Sequence, residues 1–459
     1  MRVLFVYPNT TQSWQVQLGI AYLSSVLEMN AINTSLLDLT SDSSEVFIRS
    51  SLKTHNFDLL AISCTTLGYS LGLRVASIAK EMFPDLPVVM GGSHVTSLPD
   101  QVANESSVDA VCVGEGEYAL LDFITEFEKK GEIPTDIKNF YVKRDERIHR
   151  NVLRPLIQNL DTLPFPNRAI FDKRHIENEY PMCAFLTSRG CPFQCSMCIN
   201  HYLQRLYKGL GAYTRFRTLD NVFAEIQEVK RKYNVKGVFF VDDTFTLNKK
   251  RLDEFCKRYH SEIDLPFIIM GRCNTVTRQL IFSLKRAGCI QIGFGVESGN
   301  EFIRNTILHR GMSEKQILNA FQWCREAKMK TASYNMIGIP FETREKIFDT
   351  IMLNRKIKPD IVQVTLLYPF PKTDIYELAQ KEGMISNRIS PSDYYSDGII
   401  DLPTLSKREL RALRDLFPLY VHLPSILKPF LRMLEHVIHI SKLSKLVKYC
   451  IFILGKLRE

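Results

Sequence analysis

Short apolar runs alternate with longer amphipathic stretches in two separate parts of the chain. In the first part, strands are predicted at Val3–Tyr7, Thr34–Leu37, Leu59–Ser63, Pro87–Met90 and Ala110–Val113. Helical spacing fills the gaps at Gly19–Met29, Ser44–Thr54, Leu71–Phe83 and after Glu117. Short apolar strands joined by helical crossovers predict an α/β fold with a doubly wound parallel sheet. From Met182 the alternation resumes. Strands are predicted at Ala184–Ser188, Gly237–Val241, Phe267–Met270, Gln291–Val296, Thr331–Ile337 and Ile361–Leu367. Helices are predicted at Leu219–Lys232, Asn248–His260, Thr277–Ala287, Glu314–Ala327, Thr343–Asn354 and Asp374–Lys381. That is a run of successive βα units, whose chemistry belongs at the carboxyl ends of the strands.

Between the two parts, Phe140–Lys143 and Arg147–Asn151 read as a small hairpin, and the proline-punctuated stretch 161–168 reads as extended connector. After residue 386 the alternation stops. Tyr394 and Tyr395 lie in an irregular stretch, and helical patterns follow. The last of these puts Ile440, Leu443, Val447, Ile451 and Leu454 on one face and Lys442, Lys445 and Lys448 on another. Such a helix either packs on the body of the protein or lies in a membrane interface.

Composition narrows the class. The 459 residues, with 45% hydrophobic and 24% charged, suit a soluble globular protein of two or three domains. The apolar run at Met1–Tyr7 is too short for a signal peptide, and no run approaches the roughly 18 residues of a membrane span. Eleven cysteines over this length do not make a secreted disulfide framework, so a reducing cytoplasm is expected. A net charge of +9 is mild for this size and does not call for nucleic acid as a partner.

The strand ends carry the candidate chemistry. After the first strand of the second part comes Gly190-Cys191-Pro192-Phe193-Gln194-Cys195-Ser196-Met197-Cys198. Thiolates at this spacing can hold three corners of an iron–sulfur cube and leave the fourth iron open. Zinc is the alternative, but it wants a fourth close ligand and only His201 is near. The following strands end in Asp242-Asp243, Gly271-Arg272, Val296-Glu297-Ser298-Gly299 and Ile337-Gly338-Ile339-Pro340-Phe341-Glu342-Thr343. Adjacent carboxylates such as Asp242 and Asp243 need cations or donors nearby, unless one of them caps the next helix, as Thr244 or Asn248 could equally do. In the first part, strand ends run into Cys64-Thr65-Thr66, Gly91-Gly92-Ser93-His94 and Gly114-Glu115-Gly116-Glu117. Glycines there let a bulky ligand approach the backbone.

The C-x3-C-x2-C spacing resembles the cluster motif of the radical S-adenosylmethionine (SAM) superfamily. The resemblance implies a [4Fe-4S] cluster on Cys191, Cys195 and Cys198, with SAM chelated to the open iron. Reductive cleavage then yields a 5′-deoxyadenosyl radical. The family usually has an aromatic residue where Met197 stands, and a thioether also packs on adenine. The segment at Glu297 resembles the family's G-x-E-S-G, which implies SAM contact. By the same resemblance Arg272 takes the SAM carboxylate and Gly338 passes close to adenine. The ammonium and sulfonium of a bound SAM would supply the positive charge that the Asp242–Asp243 pair needs, with at least one of the two facing it.

The first part resembles the cobalamin-binding domain that precedes many radical SAM domains. The matching residues are Leu18-Gly19-Ile20-Ala21-Tyr22-Leu23, Gly91-Gly92-x-His94 with Pro99, and Val113-Gly114-Glu115-Gly116-Glu117. Thr65, Thr66, Gly91, Gly92, Ser93, His94, Gly114 and Glu115 are the implied cobalamin contacts. The D-x-H-x-x-G motif that supplies a lower-axial histidine is absent, which implies a base-off corrinoid. The expected layout is a Rossmann-like (flavodoxin-like) domain at 1–135, a linker at 136–180, a partial (β/α)6 TIM barrel at 181–385 and a helical region at 386–459.

The implied activity is methylation of an unactivated carbon through methylcobalamin. The alternatives are a cobalamin-dependent radical SAM cyclase or rearrangement enzyme, and more remotely a cobalamin sensor or a tRNA methylthiotransferase-like enzyme. Implied partners are a small-molecule or lipid substrate and a reducing donor such as flavodoxin or ferredoxin. Peripheral membrane contact would come through the C-terminal helix.

Overall fold

The computed structural model describes residues 1–145, 147–178, 182–385 and 400–437. Tyr394, Tyr395 and the terminal stripe from Ile440 to Leu454 lie outside the described residues. Backbone contacts divide the chain into two compact units, Met1–Arg189 with Leu206–Phe239, and Gly190–Arg205 with Phe240–Glu459.

The first sheet contains β1 (Arg2–Tyr7), β2 (Asn33–Asp38), β3 (Leu59–Ser63), β4 (Val88–Gly91), β5 (Ala110–Cys112), β6 (Phe140–Arg144) and β7 (Arg147–Arg150). Its order is β2-β1-β3-β4-β5-β6-β7. The strands β1 to β5 run parallel, and β6 and β7 are antiparallel. Helices cross between the parallel strands, α1 (Leu18–Met29), α2 (Glu45–Thr54), α3 (Tyr69–Met82), α4 (Ser93–Ser97) and α5 (Pro99–Ala103), and α6 (Glu117–Lys130) leads from β5 to the antiparallel β6. Leu4, Val6, Leu60, Ile62, Val88 and Met90 of the strands are buried with Ile48, Leu52, Val75 and Ile78 of the helices. Strands covered on both faces read as continuous apolar runs, which is why they were visible in sequence.

Two local features depart from the sequence reading. The hairpin assigned to the linker is the edge of this sheet: Ala110 pairs with Val142 and Cys112 with Phe140. Phe140 and Val142 are buried, and Phe140 stacks on Phe123 of α6 at 4.5 Å between centroids. The segment after β4 is not loop. It forms α4 and α5, broken at Leu98, with Pro99 in the first turn of α5, where its missing N–H costs nothing.

The second sheet contains β8 (Cys183–Phe185), followed along the chain by a short antiparallel pair, β9 (Ser188–Arg189) and β10 (Arg215–Phe216), outside it. The sheet continues with β11 (Val238–Phe240), β12 (Phe267–Gly271), β13 (Cys289–Glu297), β14 (Lys330–Ile337) and β15 (Ile361–Leu366). Its order is β15-β14-β13-β12-β11-β8, an open partial barrel of βα units. The helices are α7 (Ile199–Leu206), α8 (Leu219–Lys232), α9 (Lys249–Glu262), α10 (Arg278–Arg286), α11 (Glu314–Glu326), α12 (Arg344–Ile357) and α13 (Asp374–Lys381). Side-chain oxygens cap their first turns: Asn248 for α9, Thr277 for α10, Ser313 for α11, Thr343 for α12 and Thr373 for α13.

Beyond the sheet, α14 (Lys407–His422) and α15 (Lys428–Val437) form the described end of the chain. Leu410, Leu413, Leu416 and Phe417 of α14 join Ile337, Ile347, Ile351 and Leu366 in one core.

Candidate active site

The loop carrying Cys191, Cys195 and Cys198 is held from both sides within the second unit. The Ser196 hydroxyl donates to the Ile307 carbonyl at 2.6 Å and the Ser196 N–H to that of Leu308 at 3.1 Å. Ile375 N–H donates to the Ser196 carbonyl at 3.0 Å. Gln204 Nε2 donates to the carbonyls of Cys191 at 2.7 Å and Phe193 at 3.1 Å. A tight turn brings Cys198 N–H to the Cys195 carbonyl at 3.0 Å. All three thiols are free, and all line one cavity of about 360 Å³.

Two guanidinium groups meet at Cys195. Arg272 Nη1 lies 3.3 Å and Arg310 Nη1 3.2 Å from its Sγ. Arg272 also lies over the Phe193 ring at 3.9 Å. Arg310 donates through Nη2 to the Gly295 carbonyl at 2.5 Å, stands 3.8 Å from Glu297 Oε1, and keeps a buried Nε without a hydrogen bond. Cys191 Sγ is 3.5 Å from the Thr244 hydroxyl, and Asn200 Nδ2 is 3.6 Å from Cys198 Sγ. Burial pushes the Cys198 thiol up to about 11 and raises that of Cys191. Burial therefore favours the thiol form of Cys191 and Cys198 until a metal takes them.

Glu297 reaches the cavity because β13 bulges. Its register with β14 shifts between Gly295 and Glu297, and Glu297 has a φ of 64°. A bulge with a left-handed non-glycine residue re-aims a side chain at a cost in backbone strain. Burial raises the Glu297 carboxyl above its ordinary value, against the pull of Arg310 and Arg272.

The adjacent aspartates separate. Asp243 lines the cavity, with its carboxyl raised by burial, while Asp242 is buried outside the lining. Neither caps α9, since Asn248 Oδ1 accepts from Arg251 N–H at 3.1 Å. Met197 and Arg272 line the cavity as well. Gly338 does not. It borders a separate small recess with Leu410 and Arg411, and its φ of 82° suits glycine. Glu342 turns back to accept from Gly338 N–H at 2.7 Å and Ile339 N–H at 3.2 Å, leaving Thr343 to start α12.

Several lining residues were not singled out in the sequence. Arg310 stands in a loop with no motif around it. Tyr334, Asn335 and Met336 of β14 line the cavity, and so do Gln363 and Thr365 of β15. The alternation of Gln363 and Thr365 with Val362, Val364 and Leu366 was the available signal on β15. Tyr368 and Phe370 close another side, in the proline-bounded turn after β15 that reads in sequence as a rigid turn shaping the substrate opening.

In the first unit, the ends of β3, β4 and β5 come together. His94 Nδ1 is 3.2 Å from the Thr66 hydroxyl, and the His94 ring stacks on Tyr69 at 4.1 Å. Gly114 N–H donates to the Thr96 hydroxyl at 2.9 Å. His94 is 5% exposed, its Nε2 has no hydrogen-bond partner, and burial lowers its pKa to about 4, so it is neutral. Gly92 has a φ of 99°, and a Cβ there would stand 2.4 Å from the Cys64 carbonyl oxygen. This glycine serves the close approach of β3 and β4 before any ligand. Thr65, Gly91 and Ser93 flank these contacts at the ends of β3 and β4. The Glu115 carboxylate is engaged by Arg189 at 3.1 Å, Arg215 at 2.9 Å and Ile157 N–H at 3.0 Å.

Residues 185–353 match the family model described as the radical SAM superfamily, and residues 10–124 match the B12 binding domain. An uncharacterized methyltransferase of Pyrococcus horikoshii is 31% identical over 394 residues, covering 83% of this chain and 83% of that protein. The chain belongs to the cobalamin-binding radical SAM family. This radical SAM protein is also 25% identical to an anaerobic magnesium-protoporphyrin IX monomethyl ester cyclase of Rubrivivax gelatinosus, over 82% of its own length and 70% of the relative's. Its fold resembles that of the radical SAM methyltransferase TsrM of Kitasatospora setae, with a TM-score of 0.70 at 18% identity, covering 85% of this chain and 79% of that one. It also resembles the cobalamin-dependent radical SAM enzyme OxsB, with a TM-score of 0.73 at 15% identity, covering 98% and 73%.

A radical SAM domain joined to a B12-binding domain makes this an enzyme that uses a [4Fe-4S] cluster, SAM and cobalamin. The residues fit these groups. Cys191, Cys195 and Cys198 line one cavity, and three thiolates can hold three irons of a cube while leaving the fourth open. Zinc would want a fourth close ligand. His201, the nearby alternative ligand, stands 2.8 Å from Asp374. In the first unit, the orphaned Nε2 of His94 is a buried polar atom at the strand-end edge where ligands of such sheets sit.

Proposed function

We propose that this enzyme transfers a methyl group, by way of cobalamin, to an unactivated carbon of a small-molecule or lipid substrate. The observation that supports it is one cavity that gathers Cys191, Cys195, Cys198, Arg272, Arg310 and Glu297 in a chain that also carries a B12-binding domain. When bound, the cluster with SAM supplies a carbon radical and the corrinoid supplies the methyl group. The protein's part is to hold and orient. Cys191, Cys195 and Cys198 would hold the cluster. Arg272 would take the SAM carboxylate, and Glu297 and Asp243 its ammonium or ribose hydroxyls. Met197 would pack on adenine, with Asp242 behind Asp243 and Gly338 shaping the β14 turn. Tyr334, Tyr368 and Phe370 would wall the substrate side and exclude water.

Corrinoid binding is assigned to the strand ends carrying Thr65, Thr66, Gly91, Gly92, Ser93, His94 and Gly114, with the Glu115 carboxylate spent on its arginine partners. The domain assignment is 1–135 for corrinoid together with the β6–β7 hairpin at the edge of its sheet, 181–385 for cluster and SAM, the rest of 136–180 as linker and 386–459 as a helical end. Electrons would come from a flavodoxin- or ferredoxin-like donor. Peripheral membrane contact belongs to the same reading.

A second reading is ring closure or rearrangement without net methyl transfer, favoured by the similarity to a protein named as a cyclase. The deciding experiment incubates reconstituted enzyme anaerobically with methyl-labelled SAM, cobalamin, reductant and host extract. Label in one new product that needs both cofactors is the expected result. Substrate-dependent release of 5′-deoxyadenosine with no label in any product would overturn methyl transfer and leave the second reading.

A further inference from the structure

The face of α15 turned away from the protein is apolar, and so is the turn before it. Ile426 is 85% exposed, Phe430 51% and Met433 57%. They fall at i, i+4 and i+7, one stripe of a helix and its lead-in. The opposite face is tied down. Leu431 is buried, and Glu435 accepts from Arg344 at 2.6 Å and from the Tyr420 hydroxyl at 2.5 Å. Arg355 Nη1 fixes the preceding turn through the carbonyls of Tyr420 at 2.6 Å and Leu423 at 2.7 Å. The helix is therefore docked by its inner side, and its outer side presents large apolar groups to solvent.

The exposed charges carried by this segment itself have one sign, and the nearest acid of α14, Glu409, lies at the His436 end of the helix. Between Leu423 and Val437 the single acid, Glu435, is buried and paired with Arg344, while Lys428 and Arg432 flank the stripe. The sequence beyond continues with Lys442, Lys445, Lys448, Lys456 and Arg458 and no acid before Glu459. A second copy of the same surface would meet this cationic rim with its own. An anionic bilayer meets it with opposite charge and offers the stripe an apolar phase.

We propose that the outer face of α15, with Ile426, Phe430 and Met433 as its apolar contacts and Lys428 and Arg432 as its cationic ones, docks on anionic lipid membranes. Among the described residues no helix is long and apolar enough to cross a membrane, so this is contact in the plane of the interface.

The test uses the full chain in a flotation assay. The probes are vesicles of phosphatidylcholine alone and of phosphatidylcholine with about 30% phosphatidylglycerol. The expected result is binding to the anionic vesicles only, weakened by salt. Joint substitution Ile426→Ser, Phe430→Ser and Met433→Ser should reduce it at least about tenfold. Lys428→Gln with Arg432→Gln should flatten its salt dependence. These side chains are solvent-facing, and an unchanged unfolding midpoint verifies that the variants are folded. Undiminished binding by the apolar variant would overturn the proposal, since another segment would then carry the contact. Two further results would also overturn it: a wild-type dimer that the same substitutions dissociate, and vesicle binding that appears only when the chain is cut after Val437.

Discussion

At Cys195 two arginines donate to one sulfur, and with the proposed cluster on that sulfur the consequence is electrochemical. Hydrogen bonds and positive charge at a cluster thiolate favour the more reduced, more negative state and raise the reduction potential. Removing either guanidinium, by Arg310→Gln or Arg272→Gln, should lower the midpoint of the reconstituted cluster by roughly 60 mV, the equivalent of ~1.4 kcal/mol for one electron. Redox titration followed by electron spin resonance measures it. Glu342 is a second informative residue. It is fully buried, and burial raises its pKa to about 8. The native state keeps the proton while the unfolded chain loses it, so this group makes the protein less stable as pH rises from about 4.5 to about 8, with no further change above. The cumulative loss is on the order of 5 kcal/mol. Glu342→Gln should therefore gain on wild type across that window. Urea unfolding of both proteins at pH 5.5 and pH 8 reads the difference.

Strand ends become sites here through the elements that shape them. The cap on α9 is Asn248, which frees Asp243 to face the cavity. Asn248→Ala should cost about 1 kcal/mol of stability and leave SAM affinity unchanged. Asp243→Asn should do the reverse, with SAM affinity down roughly tenfold in equilibrium dialysis. Gly92 shows the same principle in the first sheet. With φ at 99° and backbone 2.4 Å from where a Cβ would sit, Gly92→Ala should cost on the order of 3 kcal/mol, read as a lowered unfolding midpoint. The elements were largely legible because buried parallel strands are apolar throughout and the helices between them are amphipathic. The β6–β7 hairpin was legible as a hairpin but not as sheet edge, because pairing with β5 leaves no local signature. The helix α4 was missed because five residues opening on Gly92-Ser93 look like loop.

Separate sheets build the two cofactor regions of this molecule. Cys191→Ala should abolish SAM cleavage while the purified protein still takes up corrinoid in about equal ratio. Absorption spectroscopy of protein loaded with cobalamin measures the uptake, and liquid chromatography of 5′-deoxyadenosine measures the cleavage. Loss of both together would show that the corrinoid depends on the cluster loop. The docked α15 adds a scale beyond the catalytic sheets. Its inner face joins the protein core through Leu431, and its outer face does not.

The sequence by itself determined the two runs of strand and helix, the close spacing of Cys191, Cys195 and Cys198 and the strand-end positions of Arg272, Asp243 and Glu297. These depend on periodicity and spacing, which are local. Only the tertiary structure decided that Asp243 and not Asp242 faces the cavity, that Gly338 lies outside it, and that Glu115 is engaged by Arg189 and Arg215. Only the fold brings Arg310, 115 residues along the chain, to the sulfur of Cys195. Which charges meet depends on the approach of residues distant in sequence, and no local pattern encodes that approach.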